Sequence, residues 1–266
     1  MEIKRTRRHE VSFSEGGIVC SSAEEFLKTI ADNSADIVFL DPPFNLKKLY
    51  SSKMPLLDKK PKDDYFKWLT GIIDESVRIL SPGGAFYMYH LPEIAMQIGS
   101  YAQGKLDFRH WIAISMKNGF ARGNRLYPSH YALLYFTRGK PVIFNRPKIE
   151  PQRCKSCGEY AKDYGGYKKI IDEKGINLSD IWDDLSPVRH AKDKNRDANE
   201  LPKKLFERII EISGKNEKLY VDPFGGSGTG AIAALEKGMK IAICDILPEN
   251  YLLIKKRVKD YLKNQK

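Results

Sequence analysis

Residues 218–229 read KLYVDPFGGSGT, and this stretch decides the fold of the chain. A short strand candidate ends in Asp222, a glycine-rich turn follows, and residues 231–237 have a helical pattern. Glycines let a backbone pass close to a ligand, and such a loop lies at the carboxyl edge of a sheet, where ligands bind. The stretch therefore predicts the first βα unit of a nucleotide-binding α/β sheet. The alternative is a structural turn with a helix cap at Ser227 or Thr229.

The rest of the chain repeats the alternation of strands and helices. Helices are expected from Ser21 to near Asn33 and over residues 65–80, 203–212 and 249–262. Further strand candidates are residues 18–20, 36–40, 85–89, 108–116, 131–137 and 240–244. Such alternation indicates a mostly parallel sheet with helices on both faces.

A second motif, Asp41-Pro42-Pro43-Phe44, directly follows an apolar strand. Asp41 supplies a carboxylate acceptor, and the two prolines fix φ and remove backbone donors. The carbonyl between the prolines then offers a second acceptor, and Phe44 offers an aromatic face on which a base can stack. The alternative is a turn that only ends the strand.

Composition limits the class of protein. The chain has 266 residues, a formal net charge of +11 and four cysteines. The charge favours a polyanionic partner, and so few cysteines suit a reducing compartment rather than a disulfide scaffold. No apolar run approaches the roughly 20 residues of a membrane span, so a cytoplasmic protein with no membrane partner is expected.

The order of the motifs, with DPPF ahead of DPFGGSGT, resembles that of the beta-class DNA amino-methyltransferases, the N6-adenine/N4-cytosine family. The resemblance covers nearly the whole chain. It implies a Rossmann-like sheet of the S-adenosylmethionine (SAM)-dependent methyltransferases with circularly reordered motifs, SAM as cofactor and double-stranded DNA as substrate. Implied SAM-binding residues are Asn199, Asp222, Phe224, Gly225, Gly226, Ser227, Gly228, Thr229 and Asp245, of which Asp245 is the ribose contact.

The same resemblance makes Asp41, Pro42, Pro43 and Phe44 the catalytic clamp around the amino group of a flipped-out base. Asp41 in the first position is typical of the N6-adenine branch, because the cytosine branch more often has serine there. Phe44 departs from the usual tyrosine. Adenine N6 is therefore the expected target. The alternatives are N4-cytosine methylation and a non-catalytic DNA-binding subunit with the same fold.

Three segments are expected: residues 1–138 with the clamp, an inserted target-recognition segment at 139–198, and a SAM-binding half at 199–266. Basic residues expected to contact DNA are Lys47, Lys48, Arg122, Arg125, Arg153 and Lys155. The family also implies two candidate partners, a second copy of the chain and a cognate restriction enzyme. Cys154 and Cys157 form half of a zinc knuckle without a second C-x-x-C, so no metal is expected. Trp182 matches a recurring family segment, although a core role explains it equally well.

Overall fold

The structure is a computed structural model that describes residues 17–46, 60–115, 123–124, 126–154, 156–160, 162, 164–185 and 200–265. Within these ranges the strands are β1 Gly17–Cys20, β2 Ala35–Leu40, β3 Leu80–His90, β4 Asp107–Ser115, β5 His130–Thr137, β6 Lys148–Ile149, β7 Ile176–Asn177, β8 Ile181–Trp182, β9 Leu219–Asp222 and β10 Lys240–Asp245. The helices are α1 Ala23–Lys28, α2 Lys62–Ile79, α3 Pro92–Gln103, α4 Lys168–Lys174, α5 Lys203–Ser213, α6 Thr229–Glu236 and α7 Pro248–Lys263.

The main sheet has the strand order β1-β10-β9-β2-β3-β5-β4-β8. Neighbouring strands are parallel, except that β5 runs antiparallel to both β3 and β4. The expected mostly parallel α/β sheet of the Rossmann-like type is therefore confirmed.

The strand order reverses between β9 and β2, which are parallel neighbours. From β9 the chain crosses through α6 to β10 on one side, and from β2 it crosses through α2 to β3 on the other. Such crossovers are nearly always right-handed. Because the crossovers from β9 and from β2 run in opposite directions along the sheet, their helices lie on opposite faces. This arrangement opens a crevice at the carboxyl ends of the two strands. Asp41 and Asp222 therefore share one crevice, although they are far apart in sequence.

Successive residues of β2 pack on opposite faces of the sheet. Val38 and Leu40 belong to the core under α1, α2 and α3. Ile37 and Phe39 belong to the core under α5, α6 and α7. Both faces of the sheet are therefore covered, as the sequence predicts. In the described part of the chain, no helix combines the length and apolarity that crossing a membrane requires.

Two helices differ from the sequence-based expectation. The first helix ends at Lys28 rather than near Asn33, because the Arg78 guanidinium donates to the carbonyls of Leu27 (2.8 Å) and Ile30 (3.0 Å). These bonds satisfy carbonyls that a longer helix would use itself. Helix α3 was not predicted, since it buries mainly small side chains and its apolar pattern is weak.

The segment expected to recognise the target is attached to the main sheet through β8, which pairs with β4. Trp182 is 1% exposed, and its indole N–H donates to the Ser179 carbonyl at 2.8 Å. The Arg208 guanidinium lies 5.3 Å from the indole ring and forms a bidentate pair with Asp184. Trp182 is thus a core residue that fixes the end of this segment.

Candidate active site

The glycine-rich loop leaves β9 and enters α6 in a conformation that requires glycine. Gly226 and Gly228 have φ values of 55° and 77°, in the left-handed region that side chains disfavour. The Gly225 N–H donates to the Cys244 carbonyl at 2.7 Å, which ties the loop to β10. Gly228 caps α6 without a side-chain hydrogen bond, so among the described residues the proposed Ser227 or Thr229 cap is not formed.

Gly230, in the first turn of α6, lets this helix pack closely on the sheet. A Cβ at this position would lie 2.5 Å from the Tyr220 hydroxyl oxygen and 2.9 Å from the Phe206 ring. Replacing Gly230 with alanine is expected to lower the free energy of unfolding by about 1–3 kcal/mol, because both neighbours are buried and must shift. Gly71→Ala is the matched control, since its Cβ would meet nothing within 4 Å on the exposed side of α2. That control should stabilise by about 0.5–1 kcal/mol, as measured by urea unfolding. Equal destabilisation by both substitutions would contradict the packing argument.

Asp222, at the end of β9, is a buried carboxyl group with 3% exposure. It accepts a hydrogen bond from the Phe224 N–H at 2.9 Å. Burial is the main cause that raises the pKa of Asp222 to about 8; the Phe224 hydrogen bond opposes this shift, and the charges of Asp41 and Asp245 add to it. Three carboxyl groups at one edge of the sheet form an environment that favours a cationic ligand.

Asp245, at the end of β10, organises the loop. One carboxylate oxygen accepts from the Gly226 N–H (2.8 Å) and the Asn250 side-chain amide (3.1 Å). The other accepts from the Leu247 N–H at 2.9 Å. Asp245 therefore links the glycine loop to the start of α7. Its expected contact with a ribose stays a prediction.

The hydroxyl groups of Ser227 and Thr229 join a buried polar network. Their oxygens are 2.9 Å apart, and Thr229 donates to the Glu200 carboxylate at 2.9 Å. The Arg257 guanidinium donates to the Thr229 hydroxyl at 3.1 Å. Sequence reasoning missed Glu200 and Arg257, because nothing in their local patterns separates them from surface charges. Asn199 lies outside the described residues, so its expected role is not tested.

The clamp motif follows β2 directly and enters a cluster of aromatic rings. The Phe44 ring centroid lies 4.6 Å from that of His90, 6.0 Å from Tyr89 and 6.1 Å from Tyr131. Sequence reasoning missed these three neighbours. Tyr89 and His90 end the strand beside β2, so their position at the same carboxyl edge was the signal that could have identified them.

Charge and aromatic contacts join the clamp to the loop. Burial and then the charge of Asp41 raise the pKa values of Tyr89 and Tyr131. On α2, the Trp68 ring lies 5.7 Å from Tyr65 and meets Phe224 of the glycine loop edge-on at 6.0 Å. The structure therefore brings both sequence motifs into one crevice, with α2 as a shared wall.

Of the basic residues expected to contact DNA, only Arg153 lies within the described part of the chain; Lys47, Lys48, Arg122, Arg125 and Lys155 lie outside it. The Arg153 guanidinium stacks 4.3 Å from the Tyr160 ring centroid and pairs with Asp172 at 3.2 Å. The backbones of Arg153 and Tyr160 also form an antiparallel β-bridge, and the side-chain contacts of Arg153 stabilise this short hairpin. Its contact with DNA stays a prediction.

Cys154 and Cys157 are exposed free thiols at the tip of that hairpin. Hydrogen bonds from the backbone N–H groups of Cys157 and Ser156 lower the pKa of Cys154. Across the described ranges, no cluster of three or more His, Cys, Asp or Glu side chains could hold a metal ion. The two thiols therefore lack described partners for a four-ligand zinc site.

The fold and the crevice define a class: a doubly wound α/β protein with a glycine loop and a DPPF clamp at its topological switch point. The family model of the N6/N4 DNA methylases matches residues 35–256. The chain belongs to this family, as the order of its motifs predicts.

Relatives support the assignment over most of the chain. Type II methyltransferase M.BamHI of Bacillus amyloliquefaciens is 43% identical over 232 residues, which are 85% of this chain and 54% of that protein. Type II methyltransferase M.HpaI of Haemophilus parainfluenzae is 30% identical over 222 residues, 80% of this chain and 64% of that protein. The chain thus spans between about half and two thirds of the length of these relatives. The crystal structure of an M1.HpyAVI–SAM complex matches with a TM-score of 0.62 and 19% identity, over 91% of this chain and 98% of that one, and shows the shared fold.

Proposed function

We propose that this chain is a site-specific DNA methyltransferase that transfers a methyl group from SAM to the exocyclic amino group of a flipped-out base. The observation that carries the proposal is the meeting of the DPPF clamp and the glycine loop at one switch point, on neighbouring strands β2 and β9. A protein that only bound DNA would have no chemical need for both motifs in one crevice. Membership of the N6/N4 DNA methylase family supports the same reaction.

The residues around the glycine loop suit SAM. This cofactor carries a positive sulfonium and an ammonium group, and the buried carboxyl groups of Asp222 and Asp245 lie at the ends of β9 and β10 beside the loop. A cation bound next to Asp222 would favour the ionised form of this carboxyl group, which then supplies compensating charge. When bound, SAM supplies an electrophilic methyl group. Asp222 and the loop 223–228 would hold it, with Asp245 at the neighbouring strand end where dinucleotide-binding folds have their ribose-binding acid.

The clamp then prepares the nucleophile. An exocyclic amine on a base is a poor nucleophile, because its lone pair is delocalised into the ring. The Asp41 carboxylate and the Pro42 carbonyl would accept the two N–H bonds and localise that lone pair on nitrogen. Phe44, supported by the rings of His90 and Tyr131, offers the surface on which the flipped base stacks.

Adenine N6 is the base that this proposal favours, on the residue type at position 41. The aspartate of the motif is typical of the adenine branch of the family. The candidate alternative is N4 of cytosine, because the two amines present the same pair of N–H donors and the clamp chemistry is common to both.

Residues 139–198 are proposed to read the DNA sequence, and the six basic residues named above to contact its phosphates. A second copy and a cognate restriction enzyme are the proposed partners. The positive net charge of +11 agrees with a DNA substrate.

The test is nucleoside mass spectrometry of unmodified plasmid DNA incubated with the protein and SAM carrying a deuterated methyl group. Deuterated N6-methyladenine is the expected product. Deuterated N4-methylcytosine would retain the reaction and overturn the choice of base. Absence of a deuterated base on a broad panel of DNA sequences, with SAM binding shown by calorimetry, would overturn the proposed reaction.

A further inference from the structure

A hydrogen-bonded chain runs from the sheet to the backbone of the clamp. His90 is fully buried, and its Nε2 lies 2.7 Å from the Tyr65 hydroxyl oxygen. Tyr65 is 3% exposed, and its hydroxyl donates to the Pro43 carbonyl at 2.8 Å. These two hydrogen bonds thus connect β3, α2 and the motif that follows β2.

The partners fix where each proton lies. The Leu91 N–H donates to His90 Nδ1 at 2.8 Å, so this nitrogen is the acceptor and Nε2 carries the ring proton. Burial lowers the pKa of His90 to about 3, and the imidazole is therefore neutral at physiological pH. His90 Nε2–H donates to Tyr65, which leaves the single hydroxyl proton of Tyr65 for the Pro43 carbonyl.

The same imidazole also contacts the clamp through its ring. The Phe44 ring lies 4.6 Å from it with an interplanar angle of 32°. His90 therefore supports the peptide between Pro43 and Phe44 through Tyr65 and supports the Phe44 ring directly. The Pro43 carbonyl is bound to the scaffold, and this fixes the orientation of the backbone that presents the Pro42 carbonyl.

We propose that His90 and Tyr65 are positioning residues for base capture: they hold the Pro42 carbonyl and the Phe44 ring in the arrangement that accepts the flipped base. This inference rests on the proposed function. It assigns no proton transfer to either residue, since the neutral His90 and the hydroxyl of Tyr65 act by holding the clamp in place.

The test compares Tyr65→Phe with Tyr101→Phe. The first substitution removes only the Tyr65 hydroxyl, which links His90 to the Pro43 carbonyl. The second removes the Tyr101 hydroxyl, which binds Asp74 at the protein surface. Tyr65→Phe is expected to lower kcat for DNA methylation about 10- to 100-fold, because small misplacement of reacting groups has effects of this size. Its affinity for SAM should stay close to that of Tyr101→Phe. Its melting temperature should lie below that of Tyr101→Phe, with the protein still folded at the assay temperature, because the buried His90 Nε2–H and the Pro43 carbonyl lose a partner.

A double-mutant cycle with His90→Gln tests whether the two residues act as one unit. In the Tyr65→Phe background, His90→Gln should lower kcat much less than it does alone. Nitrogen-15 NMR of the histidines gives a readout without turnover: the resonances lost in His90→Gln should show the neutral Nε2–H tautomer between pH 5 and 8 and should shift in Tyr65→Phe.

The outcomes separate the two proposals. If the unmutated protein methylates DNA and Tyr65→Phe does so at the same kcat, the positioning role is wrong and the proposed function stands. If the unmutated protein methylates no DNA, the proposed function fails. The positioning role then falls with it, even if NMR shows the expected tautomer of His90.

Discussion

Replacing Asp41 with alanine is expected to lower kcat for methyl transfer by about 100-fold or more while SAM still binds. Asp41 directly follows β2 in the crevice and supplies the charged acceptor of the proposed clamp. Loss of one group that stabilises a transition state typically lowers kcat by about 10²- to 10³-fold. The measurement is incorporation of labelled methyl groups into DNA, together with the dissociation constant for SAM from calorimetry.

A matched control for Asp41→Ala is Asp107→Ala, at the start of β4, where an exposed carboxylate pairs with Arg109 at 3.5 Å. This variant should methylate DNA like the unmutated protein. Asp41→Ala should also lower the pKa of Asp222, because the Asp41 charge is one of the causes that raise it. Methylation by Asp41→Ala at the unmutated rate would show that the DPPF motif is only a strand-terminating turn.

Replacing Asp222 with asparagine is expected to weaken SAM binding and to stabilise the SAM-free protein at alkaline pH. Asparagine keeps an acceptor for the Phe224 N–H but carries no charge. Above about pH 8, where Asp222 is ionised, loss of this charged partner for a cationic ligand should raise the dissociation constant for SAM roughly 10- to 100-fold.

The pH dependence follows from the raised pKa of Asp222. Its value is about 8 in the folded protein against an ordinary value of 3.8, so the folded state holds this proton more tightly than the unfolded state. The stability that the protonated group contributes is present below pH 4 and is lost as the pH rises through about 8. Within that window Asp222 lowers the free energy of unfolding by at most about 1.4 kcal/mol per pH unit.

The stability of Asp222→Asn minus that of the unmutated protein should therefore rise from pH 5 to pH 8.5. Urea unfolding at several pH values measures this difference. Asp36→Asn is the control: its carboxylate accepts from the Leu219 N–H at 2.9 Å, at the opposite end of the same strand pair. That variant should leave the affinity for SAM unchanged. A difference in stability that does not change with pH would show that Asp222 is ionised in the folded protein.

The candidate site could be predicted from sequence where one short stretch carries the whole signal. The stretch of 12 consecutive residues 218–229 combines a strand, glycines required in the left-handed region and the start of a helix. The DPPF motif likewise contains its acceptors and its aromatic ring within four positions. Both motifs therefore identify the family without any information on how they are placed in space.

Other parts of the site depend on contacts between distant residues and could not be predicted. The end of α1 is set by Arg78, about 50 positions away in sequence. Glu200, shortly before α5, and Arg257, on α7, both contact the Thr229 hydroxyl. In the sequence, their charged side chains resemble ordinary surface residues. Histidine and tyrosine occur both inside proteins and at their surfaces, so nothing in the sequence marks His90 and Tyr65; only their hydrogen bonds distinguish them.

The sequence by itself determined the fold class, the family and the identity of the two motifs, because these depend on local periodicity and on residue types at fixed spacing. The tertiary structure decided what the motifs do together. Pairing of β2 with β9 brings Asp41 near Asp222, where burial in a low-dielectric crevice raises the pKa of Asp222. Pairing of β2 with β3 and packing of α2 against them align His90, Tyr65 and Pro43. Burial, charge coupling and hydrogen-bond direction arise only when strands distant in sequence become neighbours.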